Sequence, residues 1–411
     1  MRSNSYYRLV FLLPLLQAFE VNIGGRLFYY EILIIFMFPF FYMFNRKVFL
    51  NKLPNTFLKL CFLWLLAQIF SNIVNNVPLI PFLKGIGTIL ITMITFSFFY
   101  LLFSGYNKKY DSILIFTLGY GFGNIIDWII SPKKEQYIIF WWKHGIDFGV
   151  TFLLIFLSTW FWKKKKINIS LLFMFLASGA NFIFGTRSLA GICLLVFMLI
   201  FYNVKIKKIK NNNINYINVL KNVLLIILIV LVVLNIYGYL AGNGFLGEFA
   251  KEKYDEQGKN PYLVLFSGRM DQLAMLISIS EKPLTGYGSN VYAESWLWDK
   301  WFILMNRYAP YLSYRDRIAT SYEKGKLVTH SFLLGNWAEA GFLGGIVWIW
   351  VLLRLILVII KINNFNNVLY PLLMFLAFLT IWNILFSPFN TYARFITAYS
   401  IAALFSCYQK N

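Results

Sequence analysis

The sequence predicts an all-α polytopic membrane protein with about twelve transmembrane helices. Of its 411 residues, 59% are hydrophobic and only 13% are charged, and the mean hydropathy is +0.63. A soluble domain carries about 25% charged residues. Apolar runs recur along the chain, at roughly the 18 residues or more needed to cross a hydrocarbon core of about 30 Å. These observations exclude a soluble enzyme, a secreted disulfide scaffold and a disordered chain.

The chain reads as one integral membrane domain, 1–411. The first apolar run has a basic start but lacks a small-x-small cleavage site, which predicts a span and not a cleaved signal. Three cysteines, Cys61, Cys193 and Cys407, lie inside apolar runs without metal-like spacing and are predicted to be small core residues. The candidate spans lie at about residues 7–22, 27–44, 55–74, 80–103, 111–131, 145–162, 168–185, 187–203, 218–241, 331–360, 369–387 and 391–408.

The connections between these runs alternate in charge. Lysines cluster at 163–166 and 205–210, while the opposite set of connections is poor in Lys and Arg. By the positive-inside rule the basic set is cytoplasmic, together with both termini. The net charge of +21 therefore reflects anchoring loops, and nucleic-acid binding is excluded because no folded soluble region carries it.

Residues 242–330 are then one long extracytoplasmic loop between spans 9 and 10. Within it, residues 268–279 carry a helical pattern, with Ser267 as the predicted N-cap. We expect a small helical cap over the membrane surface. Aromatic residues abound in this loop, Tyr287 and Trp298 among them; they fit either sugar stacking or an interfacial aromatic belt.

Two arginines are placed to bind phosphate on the same outer face. Arg187 stands in a short turn at the start of a span, where helix amides, the helix dipole and a fork-shaped guanidinium would converge. Arg269 lies at the predicted start of the loop helix. The alternatives are an interfacial anchor for Arg187 and a solvated surface arginine for Arg269.

His330 stands where the long loop re-enters the membrane, on the face predicted for both arginines. A neutral imidazole can take a proton from a sugar hydroxyl near neutral pH. Arg394, at the start of the last span, fits either a third phosphate ligand or an anchor. Glu339 would face away from His330 on a straight helix and is predicted to be structural, unless Gly335 or Asn336 distorts the helix and leaves Glu339 to support the acceptor. Asp127 could line an acceptor groove.

Three motifs stand in one order in the C-terminal half of the chain. The first is FGTRSLAG at 184–191. The second is Gly268-Arg269 followed by KPLTGYG at 282–288. The third is THSFL at 329–333 with EAGFLG at 339–344. This combination resembles the O-antigen ligase and polymerase superfamily of bacterial membrane enzymes, whose members often carry Asn directly after the histidine, where this chain has Ser331.

The resemblance implies a GT-C-like glycosyltransferase of the bacterial cytoplasmic membrane with its active site facing the exterior. Its donor would be a glycan on undecaprenyl diphosphate, with no cofactor or metal. Arg187 and Arg269 would bind the donor diphosphate, and His330 would activate the acceptor hydroxyl for an inverting transfer. Arg–phosphate bonds would take the place of a divalent metal. For a polymerase the resemblance also implies a chain-length-regulating membrane protein as partner.

Three functions fit this reading. A polymerase of the Wzy type would extend O-antigen or capsular repeat units. The many residues with AT-rich codons favour it, because such residues are typical of glycan gene clusters. A ligase would move finished glycan to lipid A-core. A flippase for the same lipid-linked unit would suit twelve spans, but a transporter should place ionisable groups near mid-membrane, and the chain has no internal repeat.

Overall fold

The computed structural model describes residues 3–22, 26–49, 52–104, 109–130, 141–202, 204, 224, 228, 231–232, 234–256, 271–290, 295–308, 330–362 and 367–408. The helices are α1 Ser3–Leu15, α2 Tyr29–Phe49, α3 Lys52–Val74, α4 Leu79–Ser104, α5 Lys109–Ile130, α6 Asp147–Lys163, α7 Ile167–Ile183, α8 Arg187–Phe201, α9 Glu248–Glu256, α10 Asp271–Glu281, α11 Ser295–Tyr308, α12 Phe332–Ala340, α13 Phe342–Ile362, α14 Tyr370–Phe386 and α15 Thr391–Tyr408. A π-helical turn, Trp142–Ile146, precedes α6.

The bundle is that of a membrane protein. Four helices are long and apolar enough to cross a bilayer by length and composition: Pro54–Val74, Leu79–Ser104, Lys109–Ile130 and Phe342–Lys361. Three shorter apolar helices are α7, α8 and α14. One face of α2 exposes large apolar side chains, an arrangement that suits lipid and not water: Phe36, Phe40, Met43 and Phe44. The count of twelve spans stays a prediction.

The core of the bundle is rich in aromatic residues. The second half of α4 is buried continuously from Thr95 to Phe103, between α2, α3 and α15. Its rings pack edge to face or stacked against neighbours, as Phe99 does against Phe116 at 5.0 Å. Cys61 and Cys193 are buried free thiols and fill space as small apolar residues.

The chain between α1 and α2 is not helical throughout, although two predicted spans extend into it. After α1 the chain forms a 3-10 turn, Leu16–Ala18, and then an antiparallel hairpin of β1 Glu20–Asn22 and β2 Arg26–Phe28. Gly24 and Gly25 stand between the strands in the sequence, and such a pair favours a turn over a helix. The spans predicted at 7–22 and 27–44 are therefore wrong at their facing ends.

The predicted span 331–360 is two helices and not one. α12 ends at Ala340, and Gly341 adopts φ 71° and ψ −166°, a backbone conformation that favours glycine. The second helix, α13, starts directly afterwards at Phe342. The expectation of one continuous helix is wrong because helical periodicity continues across the glycine although the backbone does not.

Parts of the long loop fold onto α12. Predicted at 268–279, the loop helix is found as α10, Asp271–Glu281; its predicted N-cap Ser267 lies outside the described residues. Met275 of α10 packs with Trp298 and Trp301 of α11 and with Ala338 of α12 in a small core of their own. Both tryptophans are buried there, which excludes them from stacking on a sugar in this conformation.

A buried ion pair joins the start of α2 to the start of α15. The Arg394 guanidinium donates to Glu31 Oε1, with its Nε at 2.9 Å. Glu31 also accepts from the Phe28 amide at 3.0 Å and from the Tyr30 hydroxyl at 3.3 Å. The hairpin, α2 and α15 are thereby held together by one carboxylate.

We expect Glu31→Ala to lower the free energy of unfolding by about 3–5 kcal/mol, because it leaves a buried guanidinium uncompensated. Unfolding in mixed micelles, followed by circular dichroism, measures this loss. Glu281→Ala is the matched control: its pair with Lys300, 2.6 Å long, is exposed on both sides, and its removal should change stability by no more than about 0.5 kcal/mol. Equal losses in the two variants would contradict the assignment.

Candidate functional site

His330 is half-buried and stands immediately before α12. Its carbonyl accepts a hydrogen bond of 3.0 Å from the Gln272 amide, which also donates to the Leu385 carbonyl at 2.9 Å. One side chain of α10 thus ties His330 to the end of α14. Gln272 follows Arg269 by three residues in the sequence.

Ser331 caps the helix that follows the histidine. Its hydroxyl accepts from the Leu334 amide at 3.2 Å and donates to the Ile384 carbonyl at 3.0 Å. Asn and Ser are about equally good N-cap residues. Ser331 can therefore replace the more usual Asn at this position without loss of the cap, and the backbone of His330 stays fixed.

The 282–290 segment seats against the α12–α13 break through backbone hydrogen bonds. The Tyr287 amide donates to the Ala338 carbonyl at 2.8 Å, and the Gly288 amide donates to the Glu339 carbonyl at 2.9 Å. Gly286 has φ +68°, and a Cβ there would lie 2.6 Å from the Gly341 nitrogen. Two of the three family-like motifs thus meet in space.

A polar stripe on α3 holds this segment from the other side. The Ser71 hydroxyl donates to the Glu339 carbonyl at 2.7 Å, Asn72 Oδ1 accepts from the Ser289 amide at 2.7 Å, and the Asn75 amide donates to the Gly286 carbonyl at 3.1 Å. Gln68 completes the stripe by donating to the Ser289 hydroxyl at 3.0 Å. Three polar residues on one face of an apolar span thus bond to the 282–290 segment, and the fourth, Ser71, bonds to α12.

A cavity of 130 Å³ lies between α3, α4, the 282–290 segment and α12, and we name it the α3–α4 cavity. Ser331, the neighbour of His330, forms part of its wall. Glu339 also lines it, and the carboxylate accepts from the Asn290 amide at 3.3 Å. The other polar residues of the wall are Gln68, Lys84, Thr88, Ser289, Asn290 and Asn336.

Tyr287 is half-buried beside this cavity. The Lys282 ammonium lies 4.5 Å from the centroid of its ring and 2.9 Å from Asn75 Oδ1. Tyr287 is absent from the cavity wall. The backbone amide of Tyr287 holds the 282–290 segment against α12 by donating to the Ala338 carbonyl.

Arg187 begins α8, as the sequence predicts. Its guanidinium lies over the Tyr237 ring, 4.4 Å from the centroid. Tyr237 is buried and packs against Tyr254 of α9, with ring centroids 6.2 Å apart. The cation is thereby oriented by an aromatic face at a helix N-terminus, an arrangement that suits an anion.

Convergence of Arg187 and His330 on one cavity stays a prediction. The two residues are linked through α14: α8 packs against α14, and the last turn of α14 accepts hydrogen bonds from Gln272 and Ser331.

Arg394 and Asp127 are not part of the cavity wall. Arg394 is neutralised by Glu31, so in this conformation its guanidinium is not offered to a diphosphate, and the geometry supports the anchor reading. Asp127 accepts from the Tyr392 hydroxyl at 3.0 Å and is not part of the cavity wall. Arg269 lies outside the described residues.

Sequence reasoning missed the α3 stripe and Lys84. Gln68, Ser71, Asn72 and Asn75 are spaced i, i+3, i+4 and i+7, which places them on one face of a helix. Lys84 is a charge within the apolar α4, and an ionisable residue in a span marks a functional candidate. Both patterns can be read from the sequence, but neither lies in the motifs of the C-terminal half.

In the described part of the chain, no three His, Cys, Asp or Glu side chains form a group that could hold a metal ion. In comparison with known proteins, the family model described as O-antigen ligase matches residues 172–349. The match contains Arg187, Arg269, His330 and Glu339. No curated protein and no solved structure matches the chain.

We expect Gly85→Ala to destabilise the contact between α4 and the 282–290 segment. A Cβ at Gly85 would overlap the Ser289 hydroxyl, which Gln68 holds in place, and forced overpacking costs about 1–3 kcal/mol. Thermal unfolding in detergent should show the loss, and hydrogen exchange should show faster exchange at 282–290. Gly87→Ala is the control, since nothing lies within 4 Å of its added methyl. Identical behaviour of the two variants would mean that the segment does not seat on Gly85.

Proposed function

We propose that this chain is a polysaccharide polymerase of the O-antigen ligase and polymerase superfamily, in agreement with the family model that matches residues 172–349. It transfers a glycan from undecaprenyl diphosphate to the non-reducing end of another lipid-linked repeat unit. The observation that carries the proposal is His330, fixed by Gln272 and adjacent in sequence to a wall residue of the polar α3–α4 cavity. Such a site can orient a hydroxyl beside a proton acceptor.

The proposed reaction is a direct displacement with inversion. The acceptor hydroxyl oxygen forms a bond to the anomeric carbon of the donor, and the bond from that carbon to the diphosphate oxygen breaks. His330 takes the proton of the hydroxyl as general base. The electron pair of the broken bond leaves with undecaprenyl diphosphate, which gains one negative charge.

Arg187 and Arg269 are the residues we assign to that charge. Arg187 offers a guanidinium at a helix N-terminus, and the Tyr237 ring limits its orientations. A charge-assisted bond from arginine to phosphate is about twice as strong as a neutral hydrogen bond and is often bidentate. We leave Arg394 out of the donor site because Glu31 already balances it.

The alternative within the family is a ligase that uses the same donor and a lipid A-core acceptor. Its chemistry at His330 and Arg187 would be the same. A flippase would need neither a proton acceptor nor a site for a leaving group. A chain-length-regulating partner and the cytoplasmic location of both termini remain part of the proposal.

A strain that lacks this gene tests the proposal through the ladder of its surface glycan on gels. We expect the wild-type gene to restore long chains and His330→Ala to fail, because loss of a general base costs about 10²–10⁴-fold in rate. Lys251→Ala is the control: it removes an exposed lysine of α9 that is not part of the cavity wall, and it should restore the ladder.

Each other result has a distinct meaning. Polymer stranded on undecaprenyl diphosphate in the deletion strain would identify the ligase. Full restoration by His330→Ala would remove the histidine from the chemistry and leave the polymerase assignment in place. An unchanged ladder in the deletion strain would reject both enzymes.

We further expect transfer to be independent of divalent metal, because two guanidinium groups balance the departing diphosphate. Purified protein in nanodiscs should elongate lipid-linked repeat units at the same rate with and without EDTA. Activity that EDTA abolishes and magnesium restores would contradict this assignment of Arg187 and Arg269.

A further inference from the structure

The α3–α4 cavity carries an inference that deepens the proposed function and rests on it. We propose that this cavity binds one sugar ring of the acceptor glycan and that Lys84 and Glu339 hold its hydroxyl groups. None of the family-like motifs contains Lys84, which lies outside the matched residues 172–349. The acceptor site would then be shared between the two halves of the chain.

The cavity has room for a small polar ligand. At roughly 10–15 Å³ for each water molecule, a volume of 130 Å³ has room for about ten waters. We assign this space to a single sugar ring of the acceptor. The rest of the acceptor would extend out of the cavity.

The wall has the chemistry of a sugar site. Gln68, Asn290 and Asn336 carry amide side chains, which both donate and accept hydrogen bonds. Trp64 and Phe389 add aromatic surface, which suits the apolar faces of a ring. A lipid tail would meet too many polar groups here, and a diphosphate would meet the Glu339 carboxylate.

Lys84 is the cationic residue of the cavity wall. It lies in the second turn of α4, where its ammonium can stay near the membrane boundary. Its side chain is exposed, and among the described residues none forms an ion pair with it. Its ammonium is therefore available to a ligand in the cavity whose wall it helps to form.

Glu339 supplies the opposite charge. Its backbone carbonyl and carboxylate both take part in seating the loop, so the carboxylate is held in place before a ligand arrives. Ser331 lines the same cavity, and neighbouring Cα atoms are about 3.8 Å apart. A ring bound here therefore contacts the residue that directly follows His330, the proposed base.

Binding of the free repeat-unit oligosaccharide tests this proposal. The probe is released by mild acid from the lipid-linked unit of the deletion strain, so it carries neither lipid nor diphosphate. Titration calorimetry on the full chain in nanodiscs gives Kd. We expect Lys84→Ala and Glu339→Gln each to raise Kd by about tenfold or more, the loss expected for a hydrogen bond to a charged group. In the transfer assay they should raise the KM for acceptor more than they lower kcat.

Two controls separate the cavity from other effects. Lys251→Ala removes an exposed lysine from α9 and should leave Kd unchanged. Arg187→Ala should abolish transfer and still bind the oligosaccharide. An unfolded variant is recognised by its lowered melting temperature, and Lys84→Ala has no described partner whose loss would lower it.

The outcomes distinguish the two proposals. Unchanged Kd in Lys84→Ala and Glu339→Gln overturns the cavity assignment, and so does an equal loss in Lys251→Ala. Wild-type protein that does not bind the oligosaccharide overturns it as well, whatever the transfer assay shows. Cavity-dependent binding without any transfer supports the sugar site and overturns the polymerase.

Discussion

The constraint on which the site depends is the satisfaction of backbone groups where α12 stops and α13 starts. Away from water, an unpaired amide or carbonyl costs several kcal/mol, and a helix interrupted near a membrane boundary frees such groups. The carbonyls of Ala338 and Glu339 accept hydrogen bonds from the Tyr287 and Gly288 amides. The Ser71 hydroxyl also donates to the Glu339 carbonyl. Because Gly286 and Gly341 pass so close to each other, neither position tolerates a side chain. The helix break and the loop are therefore one structural unit.

That unit also decides which chemical groups reach the site. The break turns the Glu339 carboxylate toward Asn290 and the α3–α4 cavity, and the loop brings Ser289 onto Gln68 and α4. Gln272 adds a tie from the loop to the backbone of His330. A histidine at a re-entry point would otherwise depend on a long connection for its position. Here the Gln272 side chain of α10 donates to the carbonyls of both His330 and Leu385, so the backbone of His330 is joined to the last turn of α14.

The charges of the protein divide into two kinds by their partners. Arg394 and Glu31 satisfy each other in the interior and join the hairpin to α15; their energetic role is structural, since a buried pair is costly to break. Arg187 instead rests on an aromatic ring, and a cation–π contact leaves the hydrogen-bond donors of a guanidinium available to another acceptor. Lys84 has no described ion-pair partner. The arginines that look alike in sequence thus differ in whether their charge is already balanced.

This difference explains what sequence reasoning could and could not reach. Apolar runs and the turn before Arg187 predict the start of α8 correctly, because helix ends are encoded locally. The hairpin at 20–28 and the break at Gly341 escape a reading based on periodicity, since a glycine within an apolar run leaves the pattern unchanged. The pairing of Arg394 with Glu31 joins residues 363 positions apart, and one sequence carries no trace of such a contact. The stripe on α3 is visible as a pattern, but its meaning requires the loop that satisfies it. Helix ends and motifs can therefore be predicted from the sequence. Which charged side chains remain available to a substrate depends on tertiary contacts.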